Sequence, residues 1–330
     1  MSAQITLKKL GNSEIKISPI GLGCMGLSEF YGESTPEEAG VNLILHALDQ
    51  GINFFDTADM YGAGHNEKLL AKAFNGRRED AVIATKFGIV REKGEYARTI
   101  SGKPEYVRKS CHDSLRRLGT DYIDLYYIHR VDTTTPIEDT IGEMSRLVEE
   151  GKIRAIGISE ASAETLRRAH AVHPLSALQS EYSMLTRDPE EEILALTREL
   201  GISFVPYSPI CRGLLSNWSP SNDNSDFRNQ LPRFKGEAYA KNKSIAAALG
   251  EIAEKKNCTL AQLSLAWVCA QGDNIIPIPG TTKIKNLGSN IKATQVLLSS
   301  EDLAAIEKIL TTYKVQGNRY TDEGMKGLNS

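Results

Sequence analysis

Short, almost wholly apolar runs alternate along this chain with longer stretches whose apolar residues recur every three or four positions. The short runs are Pro19 to Leu22, Ile52 to Phe55, Ala81 to Thr85, Ile123 to Ile128, Ile153 to Ile158, Ala177 to Leu178, Ser203 to Val205 and Ile275 to Ile278. Runs of this length without a polar face suit strands buried on both sides. Between them the pattern predicts helices. Thr35-Pro36-Glu37-Glu38 reads as a capping box with proline at the first helical position, opening a helix that stops at Gly51. Others cover about 66–74, 137–150 and 190–200, and one is capped by Ser162. Another runs from Pro104 to Gly119 with Val107, Cys111, Leu115 and Leu118 on one stripe. Eight strands, each followed by a helix, predict a single (β/α)8 barrel over 1–330 with its chemistry at the C-terminal ends of the strands.

Three additions interrupt the repeat. Ile5 to Leu7 and Ile15 to Ile17, split by Gly11-Asn12, predict a hairpin within 1–18. Residues 210–240 are long, polar and aperiodic, which predicts a lid after the seventh strand, followed by two extra helices, the second opened by the capping box Thr259 to Gln262. Ser299 caps a last helix, and 311–330 reads as a polar tail with a flexible end.

The 330 residues are enough for one large core. A net charge of −3 gives no electrostatic reason to invoke nucleic acid or an anionic membrane. No run reaches the roughly 20 apolar residues of a membrane span, and the N-terminus has no signal-like apolar segment. Five scattered cysteines without a Cys-x-x-Cys pair read as reduced thiols of a cytoplasmic protein. His170 and His173 lack a nearby Cys or acid cluster, so a structural role is expected and no metal.

Polar residues close the buried strands. Asp56 follows Phe55, Lys86 follows Thr85, His129 follows Ile128, and Tyr61 lies one short loop beyond Asp56. Such groups are costly at buried strand ends unless something there uses them. If the strands are parallel neighbours, the four converge at one rim. Gly21-Leu-Gly23-Cys-Met-Gly26 matches a dinucleotide-binding fingerprint by letter. No helix opens on it, however, and Asp56 stands 30 residues past Gly26, against about 20 for a ribose-binding acid. These glycines are read instead as keeping the barrel mouth low.

Phe55-Asp56-Thr57-Ala58-Asp59 with Tyr61-Gly62, the Asn66-Glu67 pair, Thr85-Lys86 and the stretch Asp121 to His129 make the chain similar to the aldo-keto reductases. It is most like the branch holding fungal and plant aldehyde reductases and potassium-channel beta subunits. The resemblance implies NADPH-dependent reduction of an aldehyde or ketone. Tyr61 is then the proton donor, Lys86 lowers its pKa, Asp56 keeps Lys86 charged, and His129 orients the carbonyl.

The same resemblance lays the cofactor across the later strand ends. Ser159 and Gln179 meet the nicotinamide carboxamide, with Glu160 and Asp56 beside them and the Tyr207 ring against the nicotinamide face. Ser208, Pro209, Ile210, Arg212, Gly213 and Leu214 cover the pyrophosphate. Pro279, Gly280, Thr282, Lys283, Asn286 and Asn290 surround the adenosine, and Gly23, Cys24 and Met25 line the mouth. A glycine turn feeding a helix N-terminus beside Lys283 is physically a phosphate site, and a 2′-phosphate there favours NADPH over NADH.

Two positions depart from the commoner pattern. Glu160 stands where many relatives carry Asn, which puts its carboxamide contact in question. Arg130 either favours a polar or anionic substrate or pairs with Asp132. The expected substrate walls are Met25, Tyr31, Met60, Tyr61, Phe87, His129, Arg130 and Tyr182, a mixture suited to an aromatic or heteroaromatic aldehyde. The alternative of another class is a cofactor-binding regulatory subunit with little turnover.

Overall fold

The computed structural model describes residues 5–91, 99–220 and 225–329. Residues 1–4 ahead of the hairpin, 221–224 of the predicted lid and Ser330 of the tail lie outside the described residues. Seven parallel strands form one sheet: β1 Leu22–Gly23, β2 Phe54–Asp56, β3 Val82–Phe87, β4 Leu125–Ile128, β5 Ile156–Ser159, β6 Ala177–Glu181 and β7 Ser203–Tyr207. They are neighbours in chain order, as right-handed β-α-β units require. The crossover helices are α1 Glu37–Asp49, α2 His65–Ala73, α3 Pro104–Leu118, α4 Ile137–Glu149, α5 Ala163–Val172 and α6 Ile193–Glu199.

The eighth stave is present but does not form a regular ladder. Ile276 and Ile278 donate to the carbonyls of Phe204 and Pro206, and Pro277 and Pro279 accept from Gly21 and Gly23. Pro277 and Pro279 have no N–H to return to the first strand, so each of those links runs one way. Closure also needs bare backbone, because a Cβ on Gly23 would lie 2.7 Å from the Ile278 carbonyl oxygen. A Cβ on Gly280 would lie 2.9 Å from the Gly23 oxygen. Two glycines of the false fingerprint, Gly21 and Gly23, therefore lie at the barrel seam.

Alternation along each strand separates two cores. Phe54, Val82, Ala84, Leu125, Tyr127, Ala177, Val205, Ile276 and Ile278 fill the barrel, and the hairpin residues Leu10, Ile15 and Ile17 plug its floor. Phe55, Ile83, Phe87, Tyr126, Ile128, Leu178 and Phe204 face the helices. The hairpin ladder pairs Lys8–Lys9 with Lys16–Ile17, later in its first arm than the apolar pattern predicts.

Pro36, not Thr35, caps α1, and no side-chain cap forms there. Thr35 lies one residue outside the helix, with its N–H on the Leu27 oxygen. Past β7 the lid folds into short 3-10 turns before α7 Gly236–Lys255, α8 Leu260–Cys269, α9 Ile284–Lys292 and α10 Ser300–Thr312. The Thr259–Gln262 capping box forms as expected. The tail crosses the mouth and makes contacts there, Asn242 to Gln316, Arg319 to Glu160 and Asn329 to Ser162. Among the described residues, no helix is long and apolar enough to cross a membrane.

Candidate active site

The alternation that fills the barrel also sets which strand-end residues face the mouth. Phe54 points inward, so Asp56 does. By the same count Ala84 places Lys86, Tyr127 places His129, Ala177 places Gln179, and Val205 places Tyr207. These side chains share the C-terminal rim, and the sequence's quartet is brought together there.

Lys86 is fully buried and donates to Asp56 Oδ1 at 2.5 Å and to the Thr57 carbonyl at 2.8 Å. Its Nζ lies 3.4 Å from the Tyr61 hydroxyl. Gln179 Nε2 donates to Asp56 Oδ2 at 2.7 Å, so both carboxylate oxygens are held. Tyr61 and His129 meet edge to face, with ring centroids 5.8 Å apart. Burial pushes the Asp56 carboxyl up and the Lys86 amine down, and their mutual attraction opposes both shifts.

Burial, reinforced by the Asp56 charge, pushes the Tyr61 phenol well above its ordinary pKa. The Lys86 charge is committed to Asp56 in this resting arrangement.

The Asn66-Glu67 pair braces this floor from beneath. Asn66 accepts from Thr57 and donates to the Cys24 carbonyl and Ser28. Glu67, fully buried, holds Thr85 and Arg117.

Several expected wall residues lie elsewhere. Phe87 stacks on Tyr126 at 4.9 Å in the helix-facing core, one residue out of phase with Lys86. Tyr182 is buried against Phe204 and Trp267, and its hydroxyl donates to Glu190. Neither belongs to the substrate wall. Cys24 and Leu214 also sit in the outer core, so their side chains do not face a cofactor. A small apolar cluster forms around Tyr61 from Ala58, Met60 and Ile89, with Met25 and Phe30 packed against it. The sequence reading missed Ala58, Phe30 and Ile89.

Glu160 is engaged otherwise than expected. At a φ of 53°, its carboxylate receives both arms of Arg319, at 2.8 and 2.9 Å, and the Glu181 N–H. Burial would raise its pKa, but the charge of Arg319 holds it below the ordinary value. Its carboxylate is the anchor of the tail.

Tyr320 then bonds hydroxyl to hydroxyl with Tyr207 at 2.8 Å, beneath the Arg212 guanidinium. Arg212 pairs with Glu181 at 2.7 Å and reaches Tyr31 at 3.5 Å, joining lid, first loop and tail. Nothing local in the sequence marks Arg319 or Tyr320.

Across the mouth, Lys283 caps α9, and Thr282, Lys283 and Asn286 are exposed while Asn290 is buried. Pro209 accepts from Ser264, and Ser208, Cys211 and Arg212 have positive φ, so the start of the lid is a tight backbone turn. Pro279 is buried and Gly280 exposed at the seam, while Ile210 and Gly213 bracket the first 3-10 turn.

Residues 19–311 match the model of the aldo/keto reductase family. A probable aldo-keto reductase from Glycine max is 50% identical over 322 residues, spanning 96% of this chain and 92% of that protein. A glycerol dehydrogenase from Gluconobacter oxydans superposes with a TM-score of 0.83 at 30% identity, covering 94% of this chain and 96% of that one. The holo form of an aldo-keto reductase from Bacillus halodurans superposes at 0.80 with 31% identity, over 93% and 96%.

The donor set fits the nicotinamide cofactor that such a family implies. With its NH2 on Asp56, Gln179 keeps a carbonyl oxygen for a carboxamide, beside Ser159 and the half-buried Tyr207 ring. The exposed Lys283 at a helix N-terminus suits a phosphate.

Proposed function

This chain belongs to the aldo/keto reductase family, nicotinamide-dependent oxidoreductases of carbonyl compounds, and from that premise we propose that it reduces an aldehyde or ketone with NADPH, Tyr61 donating the proton. The observation that carries the reading is the Tyr61 hydroxyl 3.4 Å from a lysine that is itself salt-bridged to Asp56.

Bound nicotinamide cofactor supplies the hydride; the chain supplies position and proton. His129, edge to face with Tyr61, hydrogen-bonds the carbonyl oxygen. The buried, protonated phenol of Tyr61 gives its proton to the oxygen as negative charge develops there. The phenolate left behind is stabilised by Lys86, whose charge counts most once Tyr61 has become an anion. Asp56 keeps the ammonium in place, and Gln179 keeps Asp56 in place. The apolar cluster of Met25, Phe30, Met60 and Ile89 suits an aromatic body on the substrate. Lys283 is the contact for a ribose 2′-phosphate.

The test follows loss of reduced-nicotinamide absorbance with 4-nitrobenzaldehyde, using NADPH and NADH separately. Turnover with NADPH is expected. Lys283→Ala should raise the KM for NADPH by about tenfold and leave that for NADH in place. Tight NADPH binding without turnover over a broad carbonyl panel would contradict the reductase reading.

A further inference from the structure

Arginines crowd the mouth of the barrel, and nearly all are neutralised. Arg91 pairs with Glu29, Arg212 and Arg233 with Glu181, Arg228 with Asp226, and Arg319 with Glu160. Arg130 is different. Among the described residues it has no carboxylate within ion-pair distance, and its hydrogen bonds use one nitrogen, Nη1, to the His129 carbonyl at 2.7 Å and Ser159 Oγ at 3.4 Å.

The acid that the sequence offers as its partner is taken. Asp132 accepts from the N–H groups of Gly102 and Thr134 and from the hydroxyls of Thr134 and Thr135. Glu160, the other acid near Arg130, is held by Arg319. The catalytic floor contributes no compensation either, because Asp56 and Lys86 cancel each other. Arg130 is thus a half-buried guanidinium with no ion-pair partner among the described residues, its Nη1 on His129 and Ser159, in a neighbourhood that holds the Tyr61, Tyr207 and Tyr320 phenols and the already paired Glu160.

We propose that Arg130 is the specificity-determining contact of this site, and that the carbonyl substrate carries a carboxylate that completes the missing ion pair. The proposal rests on the reductase reading for the carbonyl end of the substrate. Guanidinium and carboxylate match as planar two-point partners, and a half-buried cation without an ion-pair partner discriminates between charged and neutral ligands. The apolar cluster around Tyr61 suits the body between the two ends. An anionic group of the cofactor is the other source of the same chemistry. Its phosphates fit the exposed α9 start around Lys283, whereas Arg130 directly follows His129, the carbonyl-orienting residue, just past the end of β4.

The test compares 4-carboxybenzaldehyde with 4-nitrobenzaldehyde, close in shape but differing in charge, in wild type, Arg130→Gln and Arg130→Lys. The ratio of their kcat/KM values cancels general effects on folding and hydride transfer. It should fall by about thirtyfold in Arg130→Gln, mainly through KM, and recover in part in Arg130→Lys. NADPH affinity, read by fluorescence titration, should shift by less than about threefold.

An unchanged ratio would overturn the proposal, as would a loss that falls on the NADPH dissociation constant. If neither aldehyde turns over, the reductase reading fails separately, and calorimetry with 4-(hydroxymethyl)benzoate still decides the subsite. Binding lost in Arg130→Gln supports it, and no binding to wild type overturns it.

Discussion

The floor and the roof of the mouth are each built around a buried ion pair, yet the two pairs answer to different mechanics. Below, Asp56 and Lys86 stand on strands hydrogen-bonded on both sides, and Gln179 and Thr57 fill their remaining bonds. Above, Glu160 stands at a strand end, while Arg319 rides on a tail fastened at a few points. If either floor charge is removed, its partner has no route to water. If a roof charge is removed, the tail can lift and both remaining ends can hydrate. The same kind of contact therefore supports global stability in one place and local closure in the other.

The largest effect is expected at the floor. Lys86→Met should cost about 3–5 kcal/mol by leaving Asp56 buried alone, and adding Asp56→Asn should restore part of it. Urea denaturation of the three proteins checks this, and a loss under about 1 kcal/mol in the single variant would contradict a dry floor. Next comes the seam between floor and wall. Gly23→Ala should cost about 1–3 kcal/mol, since its methyl would press on the Ile278 carbonyl, measured by the same denaturation.

At the roof, Arg319→Gln should leave the global urea midpoint almost in place while hydrogen exchange speeds up over 316–329. A parallel drop of the whole midpoint would erase the distinction drawn here. Acid should act in the same direction. The folded pKa of Glu160 lies below its unfolded value, so its stabilisation is full above the ordinary carboxylate range and is lost as pH falls through the lowered value. Tail exchange should therefore rise on that acid limb ahead of exchange in the barrel core. Tyr320→Phe, which removes one hydroxyl from the Tyr207 contact, should cost about 1 kcal/mol of tail closure in the same exchange measurement.

The contrast also explains what could be read from the sequence. Floor residues sit on strands, where a period of two ties a chemical side chain to the apolar neighbour two places earlier. Asp56 and Lys86 are legible as polar groups closing apolar strands and His129 as the residue that follows one, whereas Gln179 is read through the family resemblance. Phe87 and Tyr182 were misread as pocket walls because nearness along the chain was given weight over phase. Phe87 follows an inward residue and so faces the helices.

The eighth stave was legible as an apolar run, although its prolines prevent a regular ladder. The roof left no such trace. Arg319 meets an acid 159 positions away and Tyr320 a phenol 113 positions away, both from a polar segment without periodicity. Only the fold brings these partners together. Glu160 carried half a signal, a carboxylate where an amide is commoner, and its reason lies in the tail.

The central claim is that Tyr61 delivers the proton while Lys86, held by Asp56, stabilises the phenolate it becomes. It is tested most directly by single-turnover hydride transfer from bound NADPH to an aldehyde in wild type and Tyr61→Phe, with NADPH affinity measured on both. The account predicts transfer slowed by about 10²–10⁴ in the variant with NADPH affinity maintained. Transfer at the wild-type rate in Tyr61→Phe would contradict it, and the proton would then have to come from His129 or water.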